Sequence, residues 1–290
     1  MNLALALRLG RISNLPTVWT NVLVGGLLAG GSLADARLPA LMLALSLFYV
    51  GGMFLNDAFD RAFDAEHRPE RPIPSGQVSA QQVFVTGFGL LAIGMAGVAV
   101  ASRRPDGLPA WRALAAGAAL AAAIVVYNAH HKGNALSPLI MGFCRVLLVL
   151  TAAYSLAVVL PNAVYLAALA LLCHLIGLTY IAKQEHLDRI GALWPLGFLA
   201  VPLLYGLLLA LSAPVVWLPL LLYAAVLAFA LNRLRRRARG DVPRAVVTLI
   251  AGMSVLDSVL LAGAGHLLPA ALAVAGFGLT LALQKWVSGT

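Results

Sequence analysis

The chain has 290 residues, 61% hydrophobic and 11% charged, with a mean hydropathy of +0.91, whereas an ordinary soluble domain carries about 25% charged residues. That composition excludes a soluble globular protein and predicts an integral membrane protein in the lipid bilayer. The formal charge of +9 points to loops facing the cytoplasm and not to a nucleic-acid partner.

The opening stretch, MNLALALRLGRISNLP, places its basic residues after a short apolar run and leads into a full-length apolar segment. This reverses the order of a cleavable signal peptide, so the segment is expected to stay on the mature chain. At about 20 residues per crossing, apolar segments fall near 15–34, 38–58, 80–101, 110–128 and 136–158. Five more follow near 161–182, 191–211, 214–232, 243–264 and 267–286. Pro39, RRPDG at 103–107, the SP, LP and AP pairs at 137–138, 160–161 and 213–214, and RRRARGDVPR at 235–244 mark the breaks. GHLLP at 265–269 is a weak break, so the last two segments count as one span or two. The reading is one all-α polytopic membrane domain over residues 1–290, with nine or ten spans. Cys144 and Cys173 both lie in apolar segments and are expected to remain free.

With the N-terminus inside, fourteen of the twenty basic residues fall on the cytoplasmic side and four, Arg37, Arg103, Arg104 and Arg112, on the other. Of the remaining two, Arg145 lies within a span, and Lys285 is cytoplasmic only if there are ten crossings. The positive-inside rule therefore places the N-terminus in the cytoplasm, in a membrane taken to be the bacterial inner membrane. The polar stretches after the second, fourth and sixth spans then open on that same side.

Only eleven residues are acidic, and five of them, Asp57, Asp60, Asp64, Glu66 and Glu70, lie within NDAFDRAFDAEHRPE at 56–70. If the second span continues as a helix beyond the membrane, Asn56, Asp57, Asp60 and Asp64 fall within an arc of about 100°. Like charges on one helical face repel, so a cation is expected among them. Oxygen-only donors suit Mg²⁺, held through carboxylates together with substrate phosphates. Arg61, Arg68 and Arg71 supply fixed charge suited to phosphate oxygens.

The pattern N-D-x-x-D-x-x-x-D, followed by Arg71, Pro72, Ile73, Pro74, Ser75 and Gly76, resembles the first aspartate-rich motif of the UbiA superfamily of intramembrane prenyltransferases. The resemblance implies a helical bundle of about nine spans around a central cavity. It implies that Asn56, Asp57, Asp60 and Asp64 hold Mg²⁺ against the diphosphate of a prenyl donor. Tyr127 and Lys132 in Y-N-x-x-x-K are similar to the family's Tyr and Lys after the fourth helix, although the same residue types are also ordinary interfacial anchors. Tyr127 is accordingly grouped with the catalytic carboxylates, and Lys132 with the diphosphate contacts. His130 and His131 are read as loop residues, because adjacent positions on a helix form no chelating pair.

The second family motif, D-x-x-x-D, corresponds here to Gln184, Glu185, His186, Leu187 and Asp188, with Gln in place of the first Asp. Asp188 is expected to complete the metal site, Glu185 stands in for the missing carboxylate, and Lys183 and Gln184 are expected near phosphate. The cap after this motif is expected to be shorter than the family's. At the N-terminus, Arg11 and Asn21 are the expected diphosphate contacts, with Arg8 and Asn14 as rivals.

Arg145 and Asp257 lie inside spans, where a charge costs about 2.5–3.5 kcal/mol or more. They are expected to pair with each other or to line the acceptor end of a cavity. His174, in the sixth span, is read as a hydrogen-bonded packing residue. The function implied is a Mg²⁺-dependent transfer of a prenyl group from a prenyl diphosphate to a small acceptor, aromatic or a specialised metabolite. A terpene cyclase of the same superfamily and a non-catalytic lipid or metabolite carrier are the alternatives. No protein partner is legible.

Overall fold

A computed structural model describes residues 1–104, 107–183, 194–236 and 238–289. A short helix, α1 (Leu3–Leu9), begins where the Asn2 side chain accepts a hydrogen bond from the Leu5 amide at 2.9 Å. Its buried residues, Leu5 and Leu9, join a small cluster with Phe54, Ala58, Val78 and Val83. A 3-10 turn (Ile12–Asn14) leads into α2 (Leu15–Leu28), which carries Pro16 in its first turn, where no amide donor is needed.

The chain then forms α3 (Arg37–Phe59), the short α4 (Arg61–His67), α5 (Ala80–Ala101), α6 (Trp111–His130) and α7 (Ser137–Leu156). It continues with α8 (Asn162–Lys183), α9 (Ala200–Ser212), α10 (Trp217–Arg236), α11 (Asp241–Gly263) and α12 (Leu267–Leu283). A 3-10 turn precedes each of α9 and α10. Among the described residues, ten apolar helices fall in the ten expected segments. The weak break before the last is a real turn: Gly265, at φ +82°, allows the chain to reverse between α11 and α12. Among the described residues, eight helical segments are long and apolar enough to cross a membrane, while α2 and α12 are shorter.

The helices α2 and α11 sit at the centre. α2 touches α3, α7, α8, α11 and α12, and most of its residues are buried. α11 packs on α2, α8, α9, α10 and α12. By contrast, α5 is as apolar as α11 and α6 somewhat less so, yet both are far less buried, the pattern of helices facing lipid. The centre is close-packed: a Cβ added at Gly25 would lie 2.4 Å from the Val149 carbonyl oxygen, so glycine is what lets α2 approach α7.

The end of α12 returns to the start of α2. Asn14 Nδ2 donates to the Gly289 carbonyl at 2.9 Å, and Gln284 Nε2 donates to Asn14 Oδ1 at 2.9 Å. Both cysteines are free. The basic run near 233–244 is partly tied down, since buried Asp241 accepts from Arg233 and Arg236 at 3.0–3.1 Å.

Candidate active site

The helical register runs past the end of α3. Asp60 interrupts it only locally: its amide donates to the Asn56 carbonyl at 3.0 Å, and the Asp64 amide donates to the Asp60 carbonyl at 2.9 Å. Asn56, Asp57, Asp60 and Asp64 therefore share one face, as the spacing predicts. The repulsion between them is offset by cations from distant parts of the chain. Arg11 Nη2 donates to Asn56 Oδ1 and to Asp57 Oδ1, both at 3.2 Å, and Arg71 Nη1 reaches Asp57 Oδ1 at 3.4 Å. Asp60 Oδ2 lies 3.2 Å from Lys132 Nζ and 3.5 Å from His131 Nε2. Asp64 is buried, and no cation of the described residues lies within ion-pair distance of it.

These surroundings split the carboxyl groups. Burial pushes the Asp60 carboxyl up, but His131 and Lys132 outweigh it and leave it below the usual value. The Asp64 carboxyl is raised, first by burial and then by Asp60 and Asp57, with Arg71 acting in the opposite sense. Burial and the neighbouring Arg11 lower Arg71.

Two backbone devices aim the arginines. Arg11 occupies the left-handed region (φ 42°, ψ 48°), alone among the described non-glycine residues. That conformation costs a side-chain-bearing residue about 1–2 kcal/mol and persists only where its surroundings hold it. Arg71 opens the RPIPSG turn, where its carbonyl accepts from the Ser75 amide at 3.0 Å and the Ser75 hydroxyl at 2.7 Å. Gly76, at φ +76°, closes the turn.

Two cavities flank this face. The charged one, with about 610 Å³ of space, is lined by Arg8, Arg11, Asp57, Glu70, Arg71 and Ser288 among others. The other, with about 530 Å³, is walled by Phe48, Tyr49, Leu120, Ile124, Met141 and Leu148, with Tyr127, Asn128 and Arg145 as its main polar lining. Arg11 joins them: its Nη1 lies 3.6 Å from Sδ of Met53, which lines the apolar cavity, while its Nη2 holds Asp57 in the charged one.

The remaining expected residues are placed as follows. Arg8 lies in the charged cavity, so both rival arginines line it. Asn21 does not reach that cavity. It is fully buried, its Oδ1 accepting from Arg145 at 3.0 Å and its Nδ2 donating to Asp257 Oδ2 at 2.7 Å. Asn14 binds Tyr49, Gln284 and Gly289. Arg145 and Asp257, expected to pair with each other or to line a cavity, are bridged by the Asn21 amide, because a carboxamide offers an acceptor to one and a donor to the other, and of the two Arg145 lines the apolar cavity. Lys183 donates to the Asn134 carbonyl at 2.6 Å. Arg68 lies next to Arg71 at the start of the turn. Gln184, Glu185 and Asp188 lie outside the described residues. His174 is bonded at both ring nitrogens, to Tyr223 Oη at 2.8 Å and to the Leu249 carbonyl at 3.0 Å.

The family model for the UbiA prenyltransferase family matches residues 18–249. The chain belongs to the UbiA prenyltransferase family. Among curated relatives, the digeranylgeranylglyceryl phosphate synthase of Methanopyrus kandleri is 37% identical over 97 residues, 33% of this chain and 35% of that protein. The digeranylgeranylglyceryl phosphate synthase of Methanothrix thermoacetophila is 40% identical over 73 residues, 25% of this chain and 27% of that protein. The match thus spans about a third of the length of these relatives. A solved structure concerning digeranylgeranylglyceryl phosphate synthase superposes with a TM-score of 0.63 at 16% identity, covering 90% of this chain and 97% of that one. A UbiA homologue from Archaeoglobus fulgidus bound to GPP and Mg²⁺ superposes at 0.52 and 15% identity, covering 97% and 99%. At such identities the likeness concerns the fold.

In this UbiA-family chain, an integral membrane protein, some residues at the site were not legible beforehand. Asn128 accepts from Asn56 Nδ2 at 3.2 Å and donates to the Gly52 carbonyl at 3.0 Å, fixing the amide that presents Oδ1 to Arg11. His131, read as a loop residue, stacks on Tyr127 with ring centroids 5.0 Å apart and faces Asp60. Its i, i+4 spacing from Tyr127 was the available signal. Among the described residues no three His, Cys, Asp or Glu side chains already converge on a metal position. The donors present, Asn56 Oδ1 and the carboxylates of Asp57, Asp60 and Asp64, are all oxygen, and their chemistry fits a hard divalent cation.

Proposed function

We propose that the chain is a Mg²⁺-dependent intramembrane prenyltransferase, taking its prenyl group from a prenyl diphosphate. The observation that carries this reading is Arg11, which bridges a charged mouth and an apolar chamber. A prenyl diphosphate has the same two halves. Its anionic head fits the mouth among Arg8, Arg11 and Arg71, and its hydrocarbon fits the chamber.

Asn56, Asp57, Asp60 and Asp64 would hold Mg²⁺, with Asp188 expected from the second motif. When bound, the ion supplies charge stabilisation for the departing diphosphate. Arg11 and Arg71, now engaged on Asp57, are the donors nearest that head, and Lys132 beside Asp60 adds a further charge. The allylic C–O bond breaks with its electron pair leaving on the diphosphate, and a bond forms from the acceptor's carbon or oxygen while the acceptor gives up a proton. Tyr49, Phe48 and Tyr127 turn the chamber into an aromatic, water-poor space where a developing cation is favoured and hydrolysis is not. The reading places this mouth on the cytoplasmic side, as the distribution of arginine and lysine implies. The names of the relatives suggest a lipid-like acceptor as an alternative to the aromatic one.

Incubating the purified chain in nanodiscs with Mg²⁺ and labelled prenyl diphosphates, with and without a membrane extract as acceptor source, tests the reading. Diphosphate release that depends on Mg²⁺ is expected. A folded chain that neither binds nor consumes any prenyl diphosphate would overturn it. Without acceptor, release with a hydrocarbon product would instead indicate a cyclase. Gln184→Asp is expected to raise turnover if the second acidic cluster is a weakened metal half-site; lower turnover would assign Gln184 a role of its own. Gly76→Ala meets no atom within 4 Å, so its only cost is the positive φ, about 1 kcal/mol. It is expected to raise KM for the donor a few-fold through Arg71, and an unchanged KM would show that the turn does not position that arginine.

A further inference from the structure

Arg145 lies within α7 and is only 8% exposed, yet it lines the apolar cavity beside Tyr49 and Met141. Its Nη1 donates to Asn21 Oδ1 at 3.0 Å and its Nη2 to Thr17 Oγ1 at 3.1 Å, both neutral groups. The carboxylate of Asp257 stands behind Asn21 and receives the amide's other end at 2.7 Å. Asp257 therefore orients the amide that holds the guanidinium, without occupying it. A guanidinium has five N–H donors, and the hydrogen bonds to Asn21 and Thr17 use two of them.

A charge inside a span is costly and is usually associated with function. Here it borders the chamber assigned to the prenyl chain. An allylic cation generated in that chamber would meet a fixed positive charge, and repulsion is strong where the dielectric is low. An anionic group placed on Arg145 removes that repulsion and satisfies the remaining donors.

We propose that Arg145 is the recognition point for an oxyanion, a carboxylate or phosphate, on the acceptor molecule, with Thr17 and Asn21 as its positioning residues. The inference rests on the prenyltransferase reading and narrows its acceptor to an anionic class. It assigns donor and acceptor to separate cationic centres: Arg11 and Arg71 at the mouth, Arg145 within the membrane.

The test is a binding measurement on the full chain in nanodiscs, with Mg²⁺ and saturating inorganic diphosphate added to block the charged mouth. The probes are 2-naphthoate, 2-naphthyl phosphate and neutral 2-naphthamide, which share one ring system. At least one of the two anions is expected to bind about 10-fold or more tightly than the amide, the scale of a charge-assisted contact. Which anion wins distinguishes a carboxylate from a phosphate acceptor. Arg145→Met is expected to erase the preference, and Arg145→Lys to keep part of it. Equal binding of all three probes by the wild-type chain overturns the proposal and needs no variant. A folded Arg145→Met chain that keeps the preference overturns it too. Because the readout is binding and not turnover, it stands apart from the diphosphate-release assay that tests the prenyltransferase reading.

Discussion

Asp57→Asn is expected to lower kcat/KM for Mg²⁺-dependent diphosphate release about 10²–10³-fold, the usual scale for a preorganised electrostatic contact. The carboxylate is buried, accepts from both Arg11 and Arg71, and lies on the same helical face as Asn56, Asp60 and Asp64. Asn keeps the shape and one acceptor oxygen, but it removes the charge that holds the two guanidiniums together. At about 1.4 kcal/mol per decade, the loss corresponds to about 3–4 kcal/mol of barrier. The paired control is Glu66→Gln in the same acidic run, whose side chain is 78% exposed and lies 3.9 Å from His67 Nδ1. That variant should match wild type in activity and melting. If Asp57→Asn stays within threefold of wild type, the carboxylate face does not carry the chemistry.

Gly25→Val should be the most damaging single change to the fold. A Cβ there would lie 2.4 Å from the Val149 carbonyl oxygen and 3.1 Å from Ala152 Cβ, and a backbone atom cannot turn aside as a side chain can. Overpacking of this kind costs about 1–3 kcal/mol or more. α2 must move off α7, and that shift also separates Thr17 and Asn21 from Arg145. The expected result is a large fall in melting temperature, or failure to accumulate in the membrane. Gly278→Ala, on α12 with open space around its Cβ position, should be neutral or slightly stabilising. Equal melting of the Gly25→Val and wild-type chains would show that the α2–α7 seam is not tightly constrained.

The ten apolar segments were legible because each needs a long hydrocarbon-compatible run bounded by breakers, and both signals are local. The carboxylate face was legible for the same reason: a period of 3.6 residues fixes which side chains share a face wherever the helix continues, and the amide bonds across Asp60 keep it continuous. The free cysteines and the packed His174 follow from residue type and surroundings alone.

Other features depend on contacts between parts of the chain far apart in sequence. Arg8 and Arg11 are equivalent as basic residues before a span, and only the left-handed turn at Arg11 directs one of them at Asp57. Asn21 has the composition of a polar site residue, but its position in α2 sends it to Arg145 and Asp257, 124 and 236 residues away. The charges of Arg145 and Asp257 made a polar environment necessary, since lipid cannot solvate them. The amide between them was not implied by either residue. Spans, breaks, the acidic face and the need to shelter two charges were thus set by local pattern and solvation. Which cation meets which carboxylate, and where the charged mouth joins the apolar chamber, was decided by how α2, α3, α7 and α11 pack around one another.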